Sequence, residues 1–140
     1  MCNHLNAEAV PIKDQGIGWK LFILKRFKPE GTGKLTPLTN PSDVAMSYTV
    51  ADDGWVDWAS EYSDIPDYGF CFFLDQDEAL RCKRLWTMDL YSPYPVILRK
   101  IEYKNGLGLN LEDGFICTEV FKVGLARSFR LVNQNGRYGL

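Results

Sequence analysis

Only one segment of this 140-residue chain carries helical periodicity, and turn signals cut the rest into short runs rich in aromatic and β-branched residues. The helical segment begins at Asp75, a good N-cap, with Glu78 at the third helical position. That spacing is a capping box, in which each side chain serves the other residue's backbone N–H. Carboxylates at Asp75, Asp77 and Glu78 oppose the positive end of the helix dipole. Asp77 and Arg81 are spaced for an i,i+4 ion pair. Ala79, Cys82 and Trp86 share one face with Leu85 beside them, and Ser92-Pro93-Tyr94-Pro95 stops the element. A helix is predicted over about residues 76–87.

The remaining runs read as strands. Gly16-Ile17-Gly18 opens one over 19–27, whose apolar residues fall on both parities, as in a strand covered on both faces. Short strands are expected over 34–38 and 44–50. Asp53-Gly54 reads as a tight turn before a return strand at 55–58. Residues 59–68 read as an irregular acidic loop and 69–74 as a buried strand. Residues 96–103 form the next strand, and Asn105-Gly106, the preferred type I′ dipeptide, predicts an antiparallel return over 107–111. Asp113-Gly114 signals another turn, 115–123 alternates, Gly124-Leu125-Ala126 reads as a break, and 127–132 is the last strand. Residues 1–15 are expected to be a flexible arm and 133–140 a loose tail. The prediction is one α+β domain over 1–140: a mainly antiparallel sheet with hairpins and one principal helix packed on one face.

No apolar run approaches the roughly 20 residues that span a bilayer. Met1-Cys2-Asn3-His4-Leu5 lacks the basic and apolar regions of a secretory signal. Cys2, Cys71, Cys82 and Cys117 contain no C-x-x-C pair, so free thiols in a reducing compartment, hence a cytoplasmic location, are expected.

Templates for chemistry go unmatched. The single histidine, His4, lies in the expected arm, away from any nucleophile and acid that a triad would need. Gly31-Thr32-Gly33 and Gly106-Leu107-Gly108 are glycine pairs without a following helix, which gives no phosphate cradle. Cys2-Asn3-His4 offers two zinc-ligand types without the spacing of known zinc motifs. Asp75-Gln76-Asp77 opens like a calcium loop whose glycine and distal glutamate are missing. The expectation is therefore no catalytic residues, no metal and no cofactor. Basic groups (Lys20, Lys25, Arg26 and Lys28, or Arg81, Lys83 and Arg84) should scatter over both faces of their strands or be solvated, so direct nucleic-acid binding is not expected.

Charge is divided along the chain. Between Leu35 and Leu80 lie ten carboxylates and no lysine or arginine, while the flanks carry net charges of +3 and +5. Tyr48, Trp55, Trp58, Tyr62 and Tyr68 are interleaved with those carboxylates. Two readings fit. One is an acidic face neutralised by the chain's own basic flanks, with Trp55 and Trp58 buried. The other is a partner surface that meets lysines and arginines, including one that imitates nucleic-acid phosphates. The reading adopted is the second. Its partner-binding residues are Asp52, Asp53, Trp55, Asp57, Trp58, Glu61 and Asp64, and its partner is a basic or nucleic-acid-binding protein.

Four patterns carry a resemblance: Met1-Cys2-x-His4; Gly16-x-Gly18-Trp19-Lys20-Leu21-Phe22; Gly69-Phe70-Cys71-Phe72-Phe73 followed by Asp77-Glu78-Ala79; and Val96 to Tyr103. Together they resemble a loose group of small, uncharacterised phage and bacterial proteins, which implies a mobile-element setting and assigns no catalytic residue. The strand–cap–helix piece is also similar to part of ADP-ribosyltransferase-type domains, which gives a nucleotide-binding enzyme as the alternative function. The chain departs from those domains in lacking an upstream His-Gly or Arg motif to hold NAD and a matched catalytic glutamate.

Overall fold

The computed structural model describes residues 4–26, 33–37, 54–58, 66–88, 96–114 and 119–132. In chain order these form β1 (Gln15–Arg26), β2 (Gly33–Pro37), β3 (Val56–Asp57), β4 (Phe70–Phe72), α1 (Gln76–Met88), β5 (Val96–Gly114) and β6 (Val120–Leu131). All six strands join one antiparallel sheet in the order β2-β1-β5-β6-β3, with β4 also paired to β6. Because β5 occupies one edge of β6, β3 and β4 lie end to end along the other, Val56 opposite Phe129 and Phe70 opposite Ala126. Just past β4, Phe73 exchanges two backbone hydrogen bonds of 2.7 Å with Trp19 of β1. Backbone pairing thus runs from β1 through β5, β6 and β4 back to β1. The fold is α+β, a mainly antiparallel sheet with one helix packed on it, as the sequence pattern predicts.

The helix forms where its cap and face place it. Asp75 Oδ1 accepts the Asp77 N–H at 2.9 Å, satisfying one of the orphan donors of the first turn. Ala79, Cys82 and Trp86 are buried against Leu21, Cys71, Phe73, Phe121, Val123 and Leu125. Glu78 does not close the expected capping box. Its Oε1 instead accepts from Lys122 N at 2.9 Å and from Arg81 at 3.2 Å, tying the helix to β6. Arg81 pairs with Glu78 and Glu119 rather than with Asp77. A neighbouring strand within reach outcompetes a purely local contact.

A second cluster fills the opposite side of the sheet: Phe22, Val56, Trp58, Phe70, Phe72, Ile101, Tyr103, Ala126 and Phe129. Alternation along β4 feeds both clusters, Phe70 and Phe72 to one, Cys71 and Phe73 to the other. Each large apolar side chain withdrawn from water contributes about 1.5–3 kcal/mol, so these rings dominate the favourable side of folding. Lys20, grouped in sequence with a possible basic patch, is 1% exposed within this cluster. Its Nζ donates to the Cys71 carbonyl at 2.5 Å and lies 5.6–5.9 Å from the ring centres of Phe22, Phe70 and Phe129. Three aromatic faces and a carbonyl dipole replace the water a buried ammonium loses.

The predicted Asn105-Gly106 hairpin is absent. β5 continues through it as a single 19-residue strand. Asn105 does take the left-handed conformation the dipeptide favours, with φ of 57°. The chain then slips register by one residue between Gly106 and Gly108, and again between Asn110 and Asp113, without reversing. Buried positions accordingly switch from odd (Ile101, Tyr103) to even (Gly108, Asn110) and back to odd (Asp113). The expected break at Gly124-Leu125-Ala126 is likewise continuous strand within β6.

The segment expected as a flexible arm is, from His4 onward, stitched along the second half of β5. Gly106 N donates to Asp14 O at 2.9 Å, Val10 and Leu109 exchange backbone hydrogen bonds, and Leu5 N reaches Asp67 O at 2.8 Å. Asn110, fully buried, accepts from Asn6 N at 2.8 Å and donates to the His4 carbonyl at 3.1 Å. An added Cβ at Gly106 would stand 2.5 Å from Lys13 O, so this glycine admits the arm rather than making a turn. The predicted strand at 44–50 and the tail at 133–140 lie outside the described residues.

Candidate interaction surface

Register assembles a polar surface on the sheet. On β5, Lys100, Glu102 and Lys104 alternate with buried Ile101 and Tyr103 and therefore share the opposite face. Directly opposed residues point the same way. Trp19, Ile17 and Gln15 of β1 stand opposite Lys100, Glu102 and Lys104. On β6, Arg130 and Ser128 stand opposite Glu102 and Lys104, and Asp57 of β3 stands opposite Ser128. One row, Gln15–Lys104–Ser128–Asp57, crosses four strands.

β3 brings the central acidic stretch to this surface by the same alternation. Val56 and Trp58 turn inward, and Trp58, 6% exposed, meets Phe70 edge-on at 5.1 Å. Asp57 turns outward and accepts a 2.6 Å hydrogen bond from the Ser128 hydroxyl. Gly54, at φ of 85°, starts the segment in the left-handed region that the predicted Asp53-Gly54 turn calls for. Two cations stand over the half-buried Trp55 ring: Lys104 Nζ is 4.3 Å and Arg130 Cζ 4.8 Å from its centre. Arg130 also pairs with Glu102 at 3.1 Å, both side chains over a third exposed. Lys100 Nζ stands 5.9 Å from the Trp19 ring. Contacts between cations and half-exposed rings are worth roughly 0.5–1 kcal/mol each, and an exposed ion pair about 0–1 kcal/mol. The network is adjustable rather than locked.

Of the seven sequence-predicted partner-binding residues, the structure brings Trp55 and Asp57 to this surface and places Trp58 in the core. Asp52, Asp53, Glu61 and Asp64 lie outside the described residues. Sequence reasoning missed Lys104, Glu102, Ser128 and Arg130. Their signal was the alternation of 100, 102, 104 and of 128, 130, which acquires meaning only once β5, β6 and β3 are set in register.

A cavity of about 460 Å³ between the N-terminal segment and β5 is lined by Asn6, Glu8, Leu111 and Glu112. Cys82 of α1 and Cys71 of β4 are buried where the helix meets the sheet, and burial, with the Cys71 thiol adding to it, pushes Cys82 up to about 12. Among the described residues, no three His, Cys, Asp or Glu side chains gather as metal ligands. His4 instead packs its ring against Tyr68 at 5.0 Å. No helix among the described residues is long and apolar enough to cross a membrane. Comparison with protein-family models, curated proteins and solved structures found no match to this chain.

Proposed function

We propose that the protein is a small, non-catalytic interaction protein of a phage or mobile element that binds a basic macromolecular partner through its acidic, aromatic central stretch. The observation that carries this reading is the anchoring of β3. Val56 and Trp58 root the stretch in the core while Asp57, two residues from Trp55, faces outward. Negative charge beside an aromatic plane is the chemistry that receives lysine and arginine. In sequence, Asp52, Asp53, Glu61 and Asp64 extend the same charge on either side, and no lysine or arginine lies between Leu35 and Leu80. Basic proteins that otherwise bind nucleic-acid phosphates are the partner class this charge suits best.

The test is charge reversal, with a short oligo-arginine peptide as the probe. The wild type should bind the peptide with an affinity that falls as salt rises. The triple variant Asp53→Lys, Asp57→Lys, Glu61→Lys should lose at least tenfold in affinity while its thermal midpoint moves by only a few degrees. Equal loss of binding and of folding would mean that these carboxylates serve the fold. Unchanged binding would mean that the stretch does not meet the partner.

A further inference from the structure

We infer that Lys104 and Arg130 occupy, in the free protein, the position on Trp55 that a cation of the partner takes in the complex. They are internal competitors for the binding site. The inference rests on the function proposed above and adds its regulation. Three features of the geometry lead to it. Trp55 is flanked by two cations of its own chain, at 4.3 Å and 4.8 Å from the ring centre, as a guanidinium or ammonium of a ligand would be placed. Among the described residues Lys104 has no carboxylate partner, so the Trp55 ring is what draws its ammonium inward. Among the described residues Asp57, two positions on, accepts only the Ser128 hydroxyl, and an ionised carboxylate has room for further donors. Ring, outward carboxylate and removable cations thus lie together on one strip, with Ser128 linking the Lys104 and Asp57 positions in the cross-strand row.

The consequence is specific. A partner's arginine that takes their position on Trp55 displaces Lys104 or Arg130, so at that position the free protein is held partly closed to weak cationic ligands. A multivalent basic segment, which engages the carboxylates as well, overcomes that competition where a single cation does not. Salt acts in two directions here, weakening both the internal contacts and the partner's approach.

The measurement compares oligo-arginine binding by the wild type, the variant Lys104→Met with Arg130→Met, and a control, Lys122→Met with Arg84→Met, that removes the same charge at exposed positions away from Trp55. Methionine retains the aliphatic stem that packs on the ring, and a thermal melt of each variant accompanies the titration. The Trp55-flanking pair should bind on the order of tenfold more tightly than the wild type, and the control should gain distinctly less. Adding Trp55→Leu to the flanking pair should cancel the gain. Equal gains in both pairs would reduce the effect to net charge and overturn the inference. Weaker binding by the flanking pair would overturn it too, because the two cations would then be supporting the site. If neither the wild type nor any variant bound the peptide, the preceding proposal would fall and this one with it. Binding by the wild type with no difference among variants would remove this inference alone.

Discussion

Cys82 sits with no exposed surface between α1 and the sheet, and its surroundings hold the thiol protonated. Burial raises it from the usual 9.0 to about 12, with the nearby Cys71 thiol acting in the same direction. The unfolded chain ionises this thiol near 9.0, whereas the folded one keeps its proton. Its contribution to stability is therefore complete below that pH and is lost progressively as pH rises from 9.0 toward 12. Burial, and after it Asp14, raises Tyr103 above its usual 10.0 and steepens the same decline. Thermal midpoints measured from about pH 8 to about pH 10.5 should fall steadily in the wild type and less steeply in Cys82→Ala. Parallel slopes in the two proteins would show that this thiol does not titrate out of the fold. The burial of Cys82 was legible in the sequence, because Ala79, Cys82 and Trp86 share a helical face. That of Lys20 was not, since a lysine in a strand announces nothing about the three rings that surround it.

At the scale of elements, the misread segments share one cause. Asn105-Gly106 and Gly124-Leu125-Ala126 carry the local signals of a turn and a break, but their glycines mark places where other chain segments approach closely. Gly106 admits the backbone of the N-terminal segment, and Gly124 lies against the face of the Phe72 ring. An added Cβ at Gly124 would fall 2.8 Å from Phe72 Cζ, and Phe72 is itself stacked on Tyr103 at 4.6 Å. The ring cannot retreat without disturbing the second cluster. Gly124→Ala should therefore destabilise the protein by about 1–3 kcal/mol in denaturant unfolding, the range for over-packing a well-filled core. A change within about 0.5 kcal/mol would mean that the β4–β6 contact is looser than its geometry implies. Helix α1, by contrast, was legible almost to the residue, because cap, dipole and periodicity are all local in sequence. Only the long-range partners of Glu78 and Arg81 escaped, Lys122 on β6 and Glu119 just before it.

For the molecule as a whole, the charge division along the sequence becomes a spatial arrangement. β3 carries part of the acidic stretch to the edge of a sheet that bears Lys100, Lys104 and Arg130 from the basic C-terminal half. Both readings of the charge pattern thus meet at Trp55: its ring is engaged by cations of its own chain, while Asp57, two residues on, stays outward. Sequence alone singled out Trp55 and Asp57 but could not supply their neighbours, since pairing β6 with both β5 and β3 is a long-range choice that no local signal encodes. The central functional claim is that this strip receives a basic partner. It is tested most directly by following backbone and indole N–H resonances in solution as oligo-arginine peptide is added. The Trp55 indole and the amides of Asp57, Lys104, Ser128 and Arg130 should shift first and in proportion to occupancy. Shifts confined to the cavity beside Glu8 and Glu112, or spread evenly over every exposed carboxylate, would contradict it.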